Sequence, residues 1–330
     1  MSASMFRTER PTSSAPFFRN EMAMSAAAGL FRHPSLTSAV PKELVHRASV
    51  AEVLLTDWRR RDGSRFTVTA QWPRGHSFFT AVQGLHDPLI AAETIRQAGV
   101  LLCHTELGVP LGHHFLMWNL NFSVRPERLL VGSAPASVDL DVTFFGTKRQ
   151  RGRLVASRLE AVLRRDGHVV ATGGAYFTCV SPAVYRRVRG RRHLGSGCPE
   201  LPLEAALPAQ SVGRLLPMDV VLSPTEAPDR WQLRTDVRHP VLFDHPVDHV
   251  PGMALIEAAR QATTVVLGRV SPPLSVETDF VRYVELDAPC AVEARQVPCG
   301  EPGRESVLVQ GRQAQDVVFR STVTVASSTA

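Results

Sequence analysis

The segment Phe243-Asp244-His245-Pro246-Val247-Asp248-His249-Val250-Pro251-Gly252-Met253 runs directly into Glu257. It offers two imidazoles, a Pro-Gly pair and a carboxylate in one short span. A Pro-Gly step ahead of an apolar helix leaves backbone N–H groups of the first turn without intrahelical partners, and Gly252 sits where those donors begin. Such donors can hold the oxyanion formed when a thioester carbonyl is attacked. His245, His249 and Glu257 would supply the acid and base that acyl transfer needs. The structural alternatives are equally concrete. Either histidine alone can be a surface group. A carboxylate on a buried helix must be paired, and Arg260 at i+3 and Gln261 at i+4 are the natural partners.

The same helix signature occurs twice. Ala92-Glu93-Thr94-Ile95-Arg96-Gln97-Ala98 recurs as Ile256-Glu257-Ala258-Ala259-Arg260-Gln261-Ala262, an offset of 257 − 93 = 164 residues. Recurrence makes accident a poor explanation, yet a fold-holding network would recur as well as a catalytic one. The first copy is less complete: His76-Ser77-Phe78-Phe79 and Leu85-His86-Asp87-Pro88 precede Glu93, with no Pro-Gly. That half reads either as a second substrate pocket or as structural support. Gly112-His113-His114 resembles a strand-edge pair more than a metal site, since no third ligand stands at a suitable spacing, and no metal is expected.

These helices need something to bury them. Leu89 to Leu102 and Met253 to Leu267 are apolar on nearly every side, which demands enclosure. The surrounding segments alternate or run apolar at strand length: Ala51 to Thr56 opposite Met218 to Ser223, and Phe66 to Ala70 opposite Trp231 to Thr235, ahead of the helices. Leu120-Asn121-Phe122 and Thr278-Asp279-Phe280 follow them. Each copy then ends in three long runs: Ser137–Phe145, Leu154–Leu163 and Val169–Val180, then Cys290–Val297, Ser306–Gln313 and Val317–Val325. Turn residues such as Arg165-Asp166-Gly167 make them antiparallel. The expected class is α+β, two modules in tandem, each an antiparallel sheet wrapped around one long central helix. The expected layout is a flexible leader over 1–40 with a short helix near Met22–Leu30, a first module over 41–182, a linker over 183–210 and a second module over 211–330. The run from Arg186 to Arg192 reads as solvated linker or as a docking surface for an acidic carrier protein.

At 330 residues and 44% apolar composition the chain can fill two cores. No apolar run reaches the roughly 20 residues that span a bilayer, and the first forty residues lack the apolar stretch of a secretory signal. Cys103, Cys179, Cys198, Cys290 and Cys299 form no C-x-x-C pair, which points to free thiols in a reducing cytoplasm. The net charge is +6, with Lys42 and Lys148 the only lysines. A basic, arginine-rich surface fits an acidic or phosphorylated partner. No nucleic-acid motif accompanies the charge, so neither nucleic acid nor membrane is expected as a partner.

Taken together, the Asp-His-Pro…His-Val-Pro-Gly…Glu-Ala pattern at 244–258 resembles the helix approach of hotdog-fold enzymes acting on acyl thioesters. The paired Glu-x-x-Arg-Gln helices, Val45-His46-Arg47 before the first strand and Phe243-Asp244-His245-Pro246 are similar to the A-factor biosynthesis (AfsA) family over roughly residues 44–326. That resemblance implies a double hotdog. It also implies transfer of a β-ketoacyl group from an acyl carrier protein to the hydroxyl of dihydroxyacetone phosphate, leading to a phosphorylated butenolide or a furan precursor of a signalling hormone. No cofactor is implied. A plain dehydratase or thioesterase, and a ligand- or DNA-binding regulator, are the rival readings. In hotdog pairs the histidine loop and the glutamate helix of a site come from opposite modules, so the resemblance implies that His245 or His249 faces Glu93 and that His76 or His86 faces Glu257. The phosphate would require arginine: Arg96, Arg260, Arg47 and Arg282 are nearest the motifs, with Gln97 and Gln261 beside them. Either a monomer or a homodimer is compatible.

Overall fold

The computed structural model describes residues 37–192 and 201–328. The short helix expected near Met22–Leu30, nearly all of the leader and Cys198 lie outside them. A single antiparallel sheet of twelve strands runs in the order β1-β2-β4-β5-β6-β3-β9-β12-β11-β10-β8-β7. In sequence these are β1 (Leu55–Arg60), β2 (Arg65–Trp72), β3 (His114–Val124), β4 (Ala136–Gln150), β5 (Arg153–Arg165) and β6 (His168–Val180), then β7 (Leu222–Pro224), β8 (Arg230–Leu233), β9 (Pro273–Phe280), β10 (Cys290–Val297), β11 (Arg304–Gln313) and β12 (Asp316–Ala326). The order is its own reverse: six strands of one half meet six of the other, joined edge to edge where Leu120 pairs with Thr278 and Phe122 with Val276. The repeated segments around Leu120 and Thr278 are therefore partners across the junction as well as copies.

Each half contributes one long helix, α1 (Leu89–Thr105) and, after a short α2 (Pro182–Arg189), α3 (Gly252–Leu267). In α1 every residue from Leu89 to Cys103 except Arg96 is buried, and in α3 every residue from Met253 to Thr264. Strand alternation supplies the covering face: Ala136, Val138, Leu140, Val142 and Phe144 of β4 all point inward. Close approach of α1 to the sheet depends on Gly173 of β6, where a Cβ would stand 2.8 Å from Ile95 Cδ1 and 2.3 Å from Asn121 O. Trp72 is fully buried and donates its indole N–H to Thr94 Oγ1 at 3.0 Å, which satisfies the polar end of a large apolar group.

The expected hairpin turn at Arg165-Asp166-Gly167 is present, with Asp166 and Gly167 both at positive φ. The segments expected as the opening strands begin differently. Val50–Glu52 and Pro217–Asp219 are 3-10 turns, and the strands start at Leu55 and Leu222. The turns swing Glu52 and Asp219 inward toward histidines instead of leaving them on a strand face. The arginine run following β6 is not a free tether: it opens as α2, with Tyr185 and Arg189 buried. Among the described residues no helix is long and apolar enough to cross a membrane.

Candidate active site

Two copies of one ion network sit on the central helices. Glu93 accepts Arg96 Nε and Gln97 Nε2 at 2.8 and 2.7 Å from its own helix, and Arg47 Nη2 at 2.6 Å from the segment before β1. Glu257 accepts Arg260 Nη2 at 2.6 Å, the Gln261 amide, and Arg214 Nε at 2.8 Å. Helical spacing puts Arg at i+3 and Gln at i+4 on the carboxylate's own face. Each glutamine also binds the chain ahead of the first strand: Gln97 accepts Leu54 N and donates to Glu52 O, and Gln261 does the same with Val221 N and Asp219 O.

Burial alone would raise both glutamates, but the adjoining guanidiniums and hydrogen bonds outweigh it and hold each at about 2. A carboxylate with a pKa of about 2 and both oxygens occupied is a feeble proton acceptor near neutrality. The networks position groups around them; they are poorly suited to abstracting protons.

The loops do cross between halves as expected, but arginine meets the glutamates. Arg47 donates to Val241 O at 2.9 Å and pairs with Asp244 at 3.5 Å; Arg214 donates to Phe78 O at 2.7 Å and pairs with Asp87 at 3.7 Å. The histidines expected opposite the glutamates are engaged elsewhere. His76 reaches Glu52 and accepts Phe78 N and Phe79 N, and His86 packs edge-on against Trp72. Of the expected phosphate ligands, Arg282 is exposed, pairs with Asp316 and joins neither network. Arg214 was not among the expected residues. A signal for it exists: Val45-His46-Arg47 and Val212-Gly213-Arg214 keep the 167-residue offset of Ala51 and Met218, with His46 and Gly213 both left-handed.

The two helix mouths differ. At α1 the Asp87 carboxylate accepts Leu89 N at 2.9 Å, so an anion already fills the N-terminus. The cleft there, lined by Leu85, Asp87, Pro88 and Arg260 among others, encloses about 40 Å³. That is far below the roughly 300 Å³ at which ligand pockets begin. At α3 the N-cap is Pro251, which has no side-chain cap to offer. Gly252 lets the Phe280 ring pack closely on this end of the helix: a Cβ there would lie 3.0 Å from the ring, so the ring would have to shift.

Beside that open mouth stand two Asp-His pairs. Asp248 Oδ1 receives His249 Nδ1 at 2.8 Å and the Tyr185 hydroxyl at 2.7 Å. Burial pushes Asp248 upward, but hydrogen bonds from His249 and Tyr185 and the charge of Arg189 hold it well below the usual carboxylate range. Asp244 likewise holds His245 through Nδ1. An aspartate at Nδ1 fixes the tautomer that leaves Nε2 as the acceptor. Tyr283 lies edge-on to His249 at 4.8 Å; its hydroxyl is buried without a hydrogen-bond partner among the described residues, and burial raises it to about 12.

The first mouth has Leu85 where the second has His249, each eight residues before its glutamate. Arg96 shares Glu93 with Arg47, which in turn reaches Val241 O and Asp244 in the segment leading to α3. His46 feels Arg96, His245 and His114, and His114 stacks on Tyr185 at 3.7 Å. His46 also shares a 2.9 Å Nε2–Nε2 contact with His104, and burial, with His104 and Arg96 adding to it, lowers it to about 3.

Comparison with known proteins fits this architecture. The A-factor biosynthesis hotdog domain matches residues 31–181 and again 199–329. A 2-oxo-3-(phosphooxy)propyl 3-oxoalkanoate synthase of Streptomyces virginiae is 54% identical over 86% of this chain and 96% of its own length. One from Streptomyces coelicolor is 42% identical over 86% of this chain and 90% of its own. A 12:0-ACP thioesterase from Umbellularia californica aligns over 82% of this chain and 100% of that one, with 12% identity and a TM-score of 0.48, too loose a likeness to bear on chemistry.

Proposed function

The chain belongs to the A-factor biosynthesis hotdog family, and from that premise we propose that it transfers a 3-oxoacyl group from a thioester to the hydroxyl of dihydroxyacetone phosphate at the α3 mouth. The product is a 2-oxo-3-(phosphooxy)propyl 3-oxoalkanoate, the compound in the names of its relatives. The acyl group arrives on an acyl carrier protein. The ester carries an acidic carbon between two carbonyls, set for closure to a phosphorylated butenolide. The reaction is assigned to the cytoplasm, where free Cys103, Cys179, Cys290 and Cys299 are at home.

His249 Nε2 takes the proton from the attacking hydroxyl while Asp248 stabilises the imidazolium. The oxygen attacks the thioester carbon, and the N–H groups opening α3 with the Tyr283 hydroxyl receive the oxyanion. Collapse breaks the C–S bond, and His249 returns its proton to the departing thiolate. Acyl transfer from sulfur to oxygen changes no oxidation state. Arg96, whose Nε and Nη2 serve Glu93 and Val45 O, offers Nη1 to the substrate phosphate. His245 lies alongside. Glu93, Glu257, Gln97, Gln261, Arg47, Arg214 and Arg260 are positioning residues.

The observation that carries this reading is the uncapped α3 N-terminus beside a part-exposed Asp-His pair, against an Asp87-filled counterpart. Incubation of the protein with a 3-oxoacyl thioester, with and without dihydroxyacetone phosphate, tests it by mass spectrometry. A phosphorylated ester that requires both substrates is expected. Free acid released at the same rate without the phosphate compound would make the protein a thioesterase.

A further inference from the structure

Helix α2 is tied into the reactive corner on one side and open to solvent on the other. Its inner face carries Tyr185 and Arg189 at i and i+4. Tyr185 donates to Asp248, and Arg189 binds Asp248 O at 2.7 Å and Glu285 Oε2 at 2.6 Å. Arg189 also stacks over Tyr283, with its guanidinium 4.1 Å from the ring centre. The helix is thus fastened to both residues that flank His249.

Its outer face presents Val184 and Val188, 42% and 56% exposed, with Arg187 on the same side by helical spacing. Arg186 and Arg191 are exposed next to them. Arg189 and Arg192 are consumed by Asp248, Glu285 and Asp287. By contrast Arg186, Arg187 and Arg191 have no ion-pair partner among the described residues. An apolar pair set among unpaired guanidiniums is a surface made for an acidic partner with some apolar contact of its own. No second such helix occurs among the described residues: β12, the counterpart of β6, runs out through 327–328 without one. Among the described residues the cationic helix stands beside the open mouth.

We propose that the outer face of α2 docks the acidic carrier protein that delivers the 3-oxoacyl thioester and aims its thioester arm at His249. This rests on the acyl-transfer reading above. A coenzyme A thioester would concentrate its charge in a few phosphates. The basic groups here extend over two helical turns around exposed valines, which suits the flank of a folded acidic protein.

The test is a triple variant, Arg186→Glu with Arg187→Glu and Arg191→Glu, assayed with dihydroxyacetone phosphate and three forms of one 3-oxoacyl group: on a holo acyl carrier protein, on coenzyme A and on N-acetylcysteamine. Expected is a loss of tenfold or more in kcat/KM for the carrier-borne substrate, expressed in KM. The N-acetylcysteamine thioester should be unaffected and the coenzyme A thioester changed less than threefold. Carrier binding by the unaltered protein should weaken steeply with added salt. An unchanged carrier rate, or an equal loss on either small thioester, would overturn the docking assignment. If the unaltered protein turns over none of the three, the reaction itself is misassigned; fluorescence anisotropy with labelled holo carrier then still decides the surface. Binding that the triple variant loses supports it, and no binding by either protein removes it.

Discussion

The carboxylate of Asp87 lies 2.9 Å from the amide of Leu89, filling at the mouth of α1 the place that stays open at the mouth of α3. Two helices with the same Glu-x-x-Arg-Gln signature therefore present opposite faces to an incoming carbonyl. An anion already rests on one N-terminus and would repel a developing oxyanion; free N–H groups on the other would receive it.

His249→Gln should lower kcat by about 10²–10⁴-fold, the usual worth of a positioned base, with little change in melting temperature. The side chain is part-exposed. Steady-state rates of phosphorylated ester formation measure it. Activity within threefold of the unaltered protein would remove His249 from the mechanism.

Glu257→Ala should act first on the fold. It strands Arg214 and Arg260, both buried, without their carboxylate, at a cost of about 3–5 kcal/mol. Urea unfolding measures it. A variant that keeps full stability yet makes no product would return Glu257 to direct chemistry.

Acid should weaken the fold through the same carboxylates. Each is held at about 2 when folded, against 4.5 for an ordinary glutamate. A depressed folded-state pKa contributes stability that is complete above pH 4.5 and drains as pH falls toward 2. A shift of this size corresponds to roughly 3 kcal/mol per group. Stability measured from pH 6 to pH 2 should drop across that window, and Glu257→Gln should flatten the drop. An identical slope in the variant would locate acid sensitivity elsewhere.

Arg96→Lys should raise KM for dihydroxyacetone phosphate by about tenfold or more, since a lysine cannot serve Glu93 and the phosphate in a planar fork at once. The acyl substrate's KM should hold. Phosphate protection of Arg96 from dicarbonyl labelling is an independent readout, and equal labelling with and without substrate would exclude the contact.

The helical part of the site was legible in the chain. Glu93, Arg96 and Gln97, and Glu257, Arg260 and Gln261, fall on common faces because helical periodicity is a local rule, and an apolar surround told that the carboxylates must be paired. Duplication, strand alternation and the Pro251-Gly252 approach were open to the same reasoning. Only tertiary structure decided which groups close the networks. Arg47 joins Val241 across 194 residues, Arg214 joins Glu257 across 43, and Tyr185 joins Asp248 across 63. No helix or strand period spans such distances. The first and last are set where β3 meets β9, because that junction fixes which loop of one half overlies which helix of the other. Arg47 and Arg214, each from the half that carries its glutamate, face Glu93 and Glu257 where histidines were expected, and Asp87 fills one helix mouth while Pro251 leaves the other without a side-chain cap.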